Sequence, residues 1–266
     1  VNYIEKNPQF IQPDSHRNEV LGFLRQPLGD LCISRPKSRL EWGIEIPFDK
    51  DYVTYVWFDA LLNYATGVGY NQPERAEEFK RWWQQTGCTH LLGKDILTTH
   101  AVYWPTMLMA LGVPLPKQLF AHGWILNKSQ EKMSKSEGDV VNPLDMKDVV
   151  GVDGLRYWLI RDIHLGNDAP FAPDLVVSRI NTELANNLGN LLSRTTQLLH
   201  KYFEGRVIQG WPENDPSTAR LHEMAVQTAD KLKADIERMA PSYATDHVVQ
   251  LLNEANRYLE EKAPLK

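Results

Sequence analysis

The sequence is short of cysteine, of net positive charge and of long apolar runs, and each shortage narrows what the chain can be. Only Cys32 and Cys88 occur in 266 residues. They lie far apart and match no metal-ligand spacing, which argues against a disulfide scaffold or a zinc site and for a reducing compartment. Lys and Arg number 29 against 34 Asp and Glu, a net charge of −5. Bulk charge therefore points to neither a nucleic-acid nor a membrane surface, so any nucleic-acid partner must be argued from local features. No apolar stretch reaches the ~18 residues of a membrane-spanning helix. There is no internal repeat or low-complexity tract, and 16 Gly with 16 Pro is ordinary globular usage, which excludes disordered and collagen-like readings. The chain opens on Val1, with no Met and no signal-peptide pattern.

What is present falls into two patterns. The first ~170 residues alternate strand and helix signals, and the last ~95 are helical only. A strand is expected over 52–57, where aromatic and β-branched residues cluster. Asp59 is expected to cap a helix over 60–66 that ends at Gly67. A helix at 76–85 and a strand at 89–92 closed by Gly93 follow. The pattern over 96–111 is helical, with Pro105 inside it predicting a kink or break. Residues 118–122 form a buried strand ending at Gly123. Strand, helix, strand, helix, strand predicts a parallel sheet with crossover helices, whose ligands sit beyond the carboxyl ends of the strands. Asp59, Gly93, Lys94, Asp95, His122 and Gly123 all fall at such expected ends. From Pro173 onward Ile180, Leu184, Leu188, Leu191, Leu192, Thr195, Leu199 and Tyr202 recur at three- and four-residue steps, one apolar stripe of a long helix. Asp215-Pro216 opens a second helix to about Met239, and a third starts near Ser242, which together predict an antiparallel bundle.

One string carries the chemistry. Lys132-Met133-Ser134-Lys135-Ser136 follows the strand at 118–122 and a short hairpin-like segment, and Gly138 suits a mobile loop. Two lysines three residues apart can close over a triphosphate and stabilise the negative charge that builds on departing pyrophosphate. Lys gives a compact charge on a flexible stem, which suits a clamp that closes and reopens. Its rival is a solvated charged loop, but the string arises by chance in roughly one chain in ten thousand of this length.

KMSKS is the second signature of class I aminoacyl-tRNA synthetases. The run Val56-Trp57-Phe58-Asp59-Ala60-Leu61-Leu62-Asn63-Tyr64 resembles the methionine-pocket segment of the methionyl-tRNA synthetases. So does Gly93-Lys94-Asp95-Ile96-Leu97-Thr98-Thr99-His100, with Trp104-Pro105 after it. Asp30-Leu31-Cys32-Ile33-Ser34-Arg35 is similar to the stretch that re-enters that family's nucleotide fold, and Asn190-Leu191-Leu192-Ser193-Arg194 and Asn256-Arg257-Tyr258 are similar to its anticodon-binding bundle. The resemblance runs in family order through the whole chain and is nearest to bacterial and organellar forms.

The resemblance implies an α/β then all-α architecture. Residues 1–122 would be the second half of a Rossmann-like parallel sheet, 123–172 the KMSKS loop and a connecting stem-contact region, and 173–266 an incomplete anticodon-binding helix bundle. It implies methionine–tRNA ligase activity in translation, with ATP and Mg²⁺, methionine and tRNA(Met) as partners, in the cytoplasm or an organellar matrix and not at a membrane. The methionine side chain would lie among Trp57, Ala60, Leu61, Tyr64, Ile96 and His100. A soft thioether favours aromatic edges, and the Tyr64 hydroxyl and His100 would offer it weak hydrogen bonds. Without the motif, Trp57 and Tyr64 would read as core aromatics and His100 as a satisfied core histidine. Catalysis would fall to Lys132, Lys135 and Arg35, with Arg35 pairing the substrate carboxylate or the phosphates; its plain alternative is a surface ion pair. ATP would be held by Gly93, Asp95, His122, Ile125, Lys132, Ser134 and Lys135, with Asp95 near the ribose and near Arg35, or else capping the helix from Ile96. Asn187, Asn190, Arg194, Gln197 and Lys201 form a polar stripe, from which Asn190 and Arg194 would contact unstacked anticodon bases. Residues 172–266 hold 11 Lys and Arg against 13 Asp and Glu, so the stripe also fits a solvated helix face.

Two departures matter. None of the eight histidines stands in the His-x-Gly-His signature of class I. The chain is therefore expected to be the C-terminal portion of a synthetase that needs its N-terminal half. In addition Leu265 follows Ala263-Pro264 where the family usually has a tryptophan that stacks on the first anticodon base. Two rivals remain: another class I synthetase for an apolar amino acid, and a catalytically silent tRNA-binding fragment or assembly partner.

Overall fold

The structure is a computed structural model and describes residues 1–133, 141–207, 210 and 215–262. It divides into two compact units, Val1–His122 and Gly123–Lys266.

The first unit holds two sheets. Strands β1 (Ile11–Gln12), β2 (Ser34–Pro36), β3 (Glu45–Ile46), β4 (Asp49–Thr54), β5 (Thr89–Gly93) and β6 (Gln118–His122) occur in that order. A parallel sheet has the order β1-β6-β5, with Leu119 opposite both Ile11 and His90 and His122 opposite Gly93. An antiparallel sheet has the order β2-β4-β3. Ile11, Leu92, Leu97, Ala101, Leu119 and Ala121 are buried in one core with Val20 and Leu21 of the helix Asp14–Leu24. A second core gathers Leu61, Ala65, Trp83, Trp104, Met107 and Leu108.

Three expectations need correction. The run at 52–57 does enter a strand, but β4 is antiparallel to β2 and β3 and ends at Thr54. The third parallel strand is instead β1, whose two residues are too short to show a period. Asp59 is the cap of neither helix here: it lies inside the helix Val56–Ala60, which Tyr55 precedes, and a second short helix covers Asn63–Thr66 after Leu62. The helix expected from Ile96 starts as a tight turn at Lys94–Ile96 after Gly93, so Asp95 is not its cap either. It continues as a π-helical turn, Thr99–Tyr103, and becomes α-helical at Trp104–Leu111. Pro105 sits in the first turn of that last segment, where its missing N–H costs least. A second π-helical stretch, Lys80–Thr86, extends the helix Ala76–Phe79.

The second unit begins with β7 (Ile125–Leu126), which pairs in parallel with β8 (Ala169–Pro170). A tight turn joins Asn127 to Glu131, and Lys132 bridges back to Leu126. Gly123 has no room for a side chain, because a Cβ there would lie 2.2 Å from the Asn167 carbonyl. The helix Pro143–Asp162 is capped by the Asn142 side chain and broken at Gly151 (φ 75°, ψ 165°). It buries Met146 and Trp158 against Phe171 and Val176.

Helical backbone then runs through 173–203, and two helices follow, Pro216–Glu237 and Pro241–Lys262. Asp215 accepts from the Thr218 N–H at the start of the first of these, as its place before Pro216 predicts. The last two helices run antiparallel, since Thr218 meets Tyr258, Arg220 meets Glu254 and Asp235 meets His247. Within the same unit Glu183 is buried and accepts from Tyr157 (2.5 Å), Arg161 (3.0 Å) and Arg179 (2.9 Å).

Candidate active site

The run 56–64 and the turn 94–100 meet in the first unit. Tyr64 and His100 are joined, with 2.9 Å between the hydroxyl and Nε2. His100 Nδ1 lies 3.0 Å from the Ile96 carbonyl, which can only accept. His100 is 1% exposed, and this burial pulls its pKa down, so the ring is neutral at pH 7. A neutral ring with Nδ1–H on Ile96 has a bare Nε2, and Tyr64 must donate to it. Burial also raises the Tyr64 phenol, so it keeps its proton. Trp57 packs edge-on to His100 at 6.0 Å. Leu61 is fully buried beneath them in the same core, and Ala60 is exposed.

Four of the six residues expected around a methionine side chain, Trp57, Tyr64, Ile96 and His100, are therefore linked by direct contacts. Their polarity differs from expectation. The Tyr64 proton is committed to His100 and the His100 proton to Ile96, so this pair presents an aromatic edge and an oxygen lone pair rather than two free donors.

His90 is a neighbour that motif reading passes over. It is 6% exposed, lies 4.4 Å from the Tyr64 ring and accepts at Nε2 from the Trp104 indole at 3.2 Å. Burial, and secondarily the charge of His100, lowers its pKa to about 4. An unfolded imidazole titrates near 6.5, so unfolding takes up a proton between pH 6.5 and 4. The stabilisation is whole above pH 6.5 and is lost as pH falls through that window, amounting to about 3 kcal/mol for this group. Urea unfolding followed by tryptophan fluorescence at pH 7 and pH 4.5 checks this; a His90→Gln variant should lose that part of the pH dependence, and an unchanged slope would refute the assignment.

The carboxyl ends of β5 and β6 carry the residues expected to hold a nucleotide. Gly93 and His122 share a register position. A Cβ on Gly93 would come within 2.6 Å of Asp95 Oδ1 and 3.8 Å of the His122 ring, so only glycine leaves this end of the sheet open. Arg35 is placed otherwise than expected. Its guanidinium donates to the carbonyls of Ser34 (2.8 Å) and Cys32 (3.3 Å) and lies 4.2 Å over the Tyr55 ring. It makes no ion pair with Asp95 among the described residues, because the short β2 strand turns it back on its own backbone.

In the second unit Ile125 is exposed at the start of β7. Lys132 rests its ammonium 4.4 Å over the Trp124 ring. Ser134, Lys135, Ser136, Gly138 and Leu265 lie outside the described residues. Asn190 is exposed and donates to the Asn186 carbonyl, and Arg194 is half-buried one turn further on. Asn187, expected in the same polar stripe, is instead bonded to Asn253 and Asn256 of the last helix, both at 2.7 Å.

Comparison with known proteins places this geometry in a family. Methionine–tRNA ligase of Clostridium perfringens is 46% identical over 265 residues, covering 99% of this chain and 40% of that protein. The enzyme of Bacillus subtilis is 43% identical over the same length, with 39% of it covered. In fold, the chain superposes with a TM-score of 0.90 at 39% identity on Mycobacterium tuberculosis methionyl-tRNA synthetase bound by methionyl-adenylate, covering 99% of this chain and 50% of that one. The chain thus spans about two-fifths of the length of these curated relatives. The family model described as tRNA synthetases class I (M) matches residues 1–196. By that match, over nearly three-quarters of its length, the chain belongs to the class I tRNA synthetases of the (M) group.

Proposed function

We propose that this chain is the part of a methionine–tRNA ligase that binds the methionine side chain and one side of ATP and carries the KMSKS lysines. The observation that carries this reading is its 0.90 TM-score match, at 39% identity, to a synthetase holding methionyl-adenylate. The reaction is attack of the methionine carboxylate oxygen on the α-phosphorus of ATP. The bond to pyrophosphate breaks, and the adenylate then passes its acyl group to a hydroxyl at the 3′ end of tRNA. Trp57, Tyr64 and His100, with Leu61 beneath and Ile96 and Ala60 beside them, suit an apolar thioether. Gly93 admits the nucleotide to the strand ends, with Asp95 toward the ribose and His122 and Ile125 beside the adenine. Lys132, Ser134 and Lys135 steady the phosphates, and Arg35, once released from its own backbone, is long enough to orient a carboxylate or phosphate. ATP enters with Mg²⁺ as its substrate complex. Among the described residues no three His, Cys, Asp or Glu side chains group to hold a resident metal, and none is assigned a part. Among the same residues no helix is long and apolar enough to cross a membrane.

The test is methionine-dependent ATP–pyrophosphate exchange by a full-length polypeptide carrying this chain, run against leucine, isoleucine and valine. Exchange with one of those in preference to methionine would favour another synthetase for an apolar amino acid. The 266 residues alone contain no His-x-Gly-His string and are expected to form little or no methionyl-adenylate; exchange near the full-length rate would show that the rest is dispensable.

The helix 190–203 supports a tRNA role through Asn190 and Arg194, four residues apart and hence on one face. In a full-length polypeptide carrying this chain, Arg194→Ala is expected to weaken aminoacylation of tRNA by roughly 1–3 kcal/mol, the scale of a good base contact, with pyrophosphate exchange unchanged. Equal aminoacylation of tRNAs with native and altered anticodons by wild type and variant alike would reduce the polar stripe to a solvated face.

A further inference from the structure

Trp124 stands between His122 and Ile125 in sequence, yet none of the motifs gives it a role. Its backbone is pinned from both sides. The amide donates to Asp168 Oδ1 at 2.8 Å, and the carbonyl accepts from the Ala169 N–H at 2.9 Å. A side chain on Gly123 would strike the Asn167 carbonyl, so the chain enters Trp124 pressed against that segment.

The turn after β7 brings Lys132 to this ring. The Asn127 carbonyl accepts from the Gln130 N–H at 3.0 Å, and its side chain accepts from the Glu131 N–H at 2.8 Å. The Asn127 N–H in turn donates to the Glu131 carbonyl at 2.9 Å. Lys132 then pairs with Leu126 in antiparallel register. Residues two apart along extended chain share a face, so Trp124 and Lys132 are diagonal neighbours across the pair, within reach of a ring and a long side chain. The next residue, Met133, packs with the apolar cluster of Met146, Trp158, Phe171 and Val176. The backbone is thus held before and after Lys132, and its exposed ammonium rests 4.4 Å over the partly buried indole. Indole is the ring that attracts a cation best, and at an exposed site the attraction shifts an equilibrium only about two- to fivefold. That is enough to decide where the ammonium waits and too little to keep it from a triphosphate. The attraction belongs to the protein without nucleotide, so it stabilises that state and not the one in which Lys132 has moved to the phosphates.

We propose that Trp124 is a positioning residue for Lys132: its indole face is the seat that the ammonium leaves when ATP binds and regains when pyrophosphate departs. This inference rests on the methionine-activation reading and deepens it, since the seat loosens the hold on triphosphate and on pyrophosphate alike. Ligands without a phosphate chain, methionine among them, do not feel it.

The experiment uses a full-length polypeptide carrying this chain, in pyrophosphate exchange with methionine, ATP and pyrophosphate varied separately. Trp124→Leu removes the ring and keeps an apolar side chain. It is expected to lower KM for ATP and for pyrophosphate about two- to fivefold, the scale of one exposed cation–π contact, while kcat and KM for methionine stay within about 1.5-fold. Trp124→Phe, whose face attracts a cation less, should fall between. In a Lys132→Ala background Trp124→Leu should leave both KM values where they are. A rise in KM for ATP, or the same change with and without Lys132, would overturn the proposal in favour of a nucleotide contact or simple packing. Should Trp124→Leu not fold, fluorinated tryptophans placed at residue 124 keep the shape of the ring and weaken its face stepwise. KM for ATP should then fall with each added fluorine, and a flat series defeats the proposal. NMR of wild type labelled at Lys132 reads the seat without turnover. The ring current of the indole should shift the ε-methylene resonance upfield, and saturating ATP should move it back. A resonance unshifted in the free protein, or one that stays shifted under ATP, overturns the seat. Wild-type exchange that depends on an amino acid other than methionine sinks the functional reading instead, and the NMR measurement, which needs no amino acid, still decides the seat.

Discussion

In a full-length polypeptide carrying this chain, Lys135→Ala is expected to slow methionine-dependent pyrophosphate exchange by ~10²-fold or more while KM for methionine changes little. The reason lies in where charge appears. In the ground state the triphosphate charge is spread and largely met by Mg²⁺ and water. In the transition state the bond to the α-phosphorus lengthens, and negative charge collects on the departing pyrophosphate. An ammonium aimed at that charge gains most at that moment, so its removal lowers the rate rather than ground-state binding. Lys132 provides the comparison. Its resting contact with the Trp124 ring is an exposed cation–π pair, worth only ~0.5–1 kcal/mol, so a triphosphate outcompetes it easily. Steady-state exchange with methionine and ATP varied separately reads the split. Losses shared equally between methionine affinity and rate would mean that the lysine shapes the loop instead of the reaction.

Glu183→Ala should destabilise the second unit by about 3 kcal/mol, the lower end of the cost of breaking a buried charge pair. Burial alone would raise the Glu183 carboxyl, but hydrogen bonds from Arg161 and Tyr157 and both guanidinium charges outweigh it and hold it below the usual carboxylate range. The Tyr157 phenol is pushed far up, first by burial and then by this bond, and so remains a donor. Removing the carboxylate leaves that hydroxyl and two guanidiniums short of an acceptor. The loss stays at the lower end because Arg161 keeps Asp246 at 2.7 Å and Arg179 keeps Asp162 at 2.6 Å. Glu183 thus ties the helix Pro143–Asp162 to the helical stretch that carries Arg179 and Glu183, and Arg161 in turn reaches Asp246 of the helix Pro241–Lys262. Urea midpoints of wild type and variant measure the difference, and a change below ~1 kcal/mol would show that the second partners suffice.

The parts of this fold that were legible in the sequence are those with local causes. β5 and β6 are short apolar runs followed by glycine or bounded by it, and they stand where those runs predict. Asp215-Pro216 announces a helix start because the cap and the fixed proline φ act within four residues. β1 was illegible because two residues have no period and their pairing partner, β6, lies far along the chain. The run at 52–57 shows strand chemistry, but side-chain composition carries no direction of pairing, so its antiparallel placement could not be read. In the candidate site, Trp57, Tyr64 and His100 were singled out through their motif rather than through any intrinsic signal, and the structure brings their side chains together. His90 was missed because an inward histidine in a strand looks like any other; its signal is the company of Tyr64 and Trp104, which only folding assembles. Arg35 was singled out for a ligand contact and here donates to the carbonyls of Ser34 and Cys32, since a guanidinium can reach its own backbone as readily as a ligand.

The π-helical turn at Thr99–Tyr103 makes the count of residues between Asp95 and Trp104 a structural quantity in itself. An α-helix advances about 100° per residue, and a wide turn absorbs one residue more than that pitch allows. His100 owes its facing toward Tyr64, and Trp104 its facing toward His90, to this phase. Shortening the turn by one residue would preserve every chemical group of the pocket and still set its two halves out of phase by about 100°. Length here is as restrictive as identity: a relative could exchange Val102 freely for another residue of similar size, yet could not omit it.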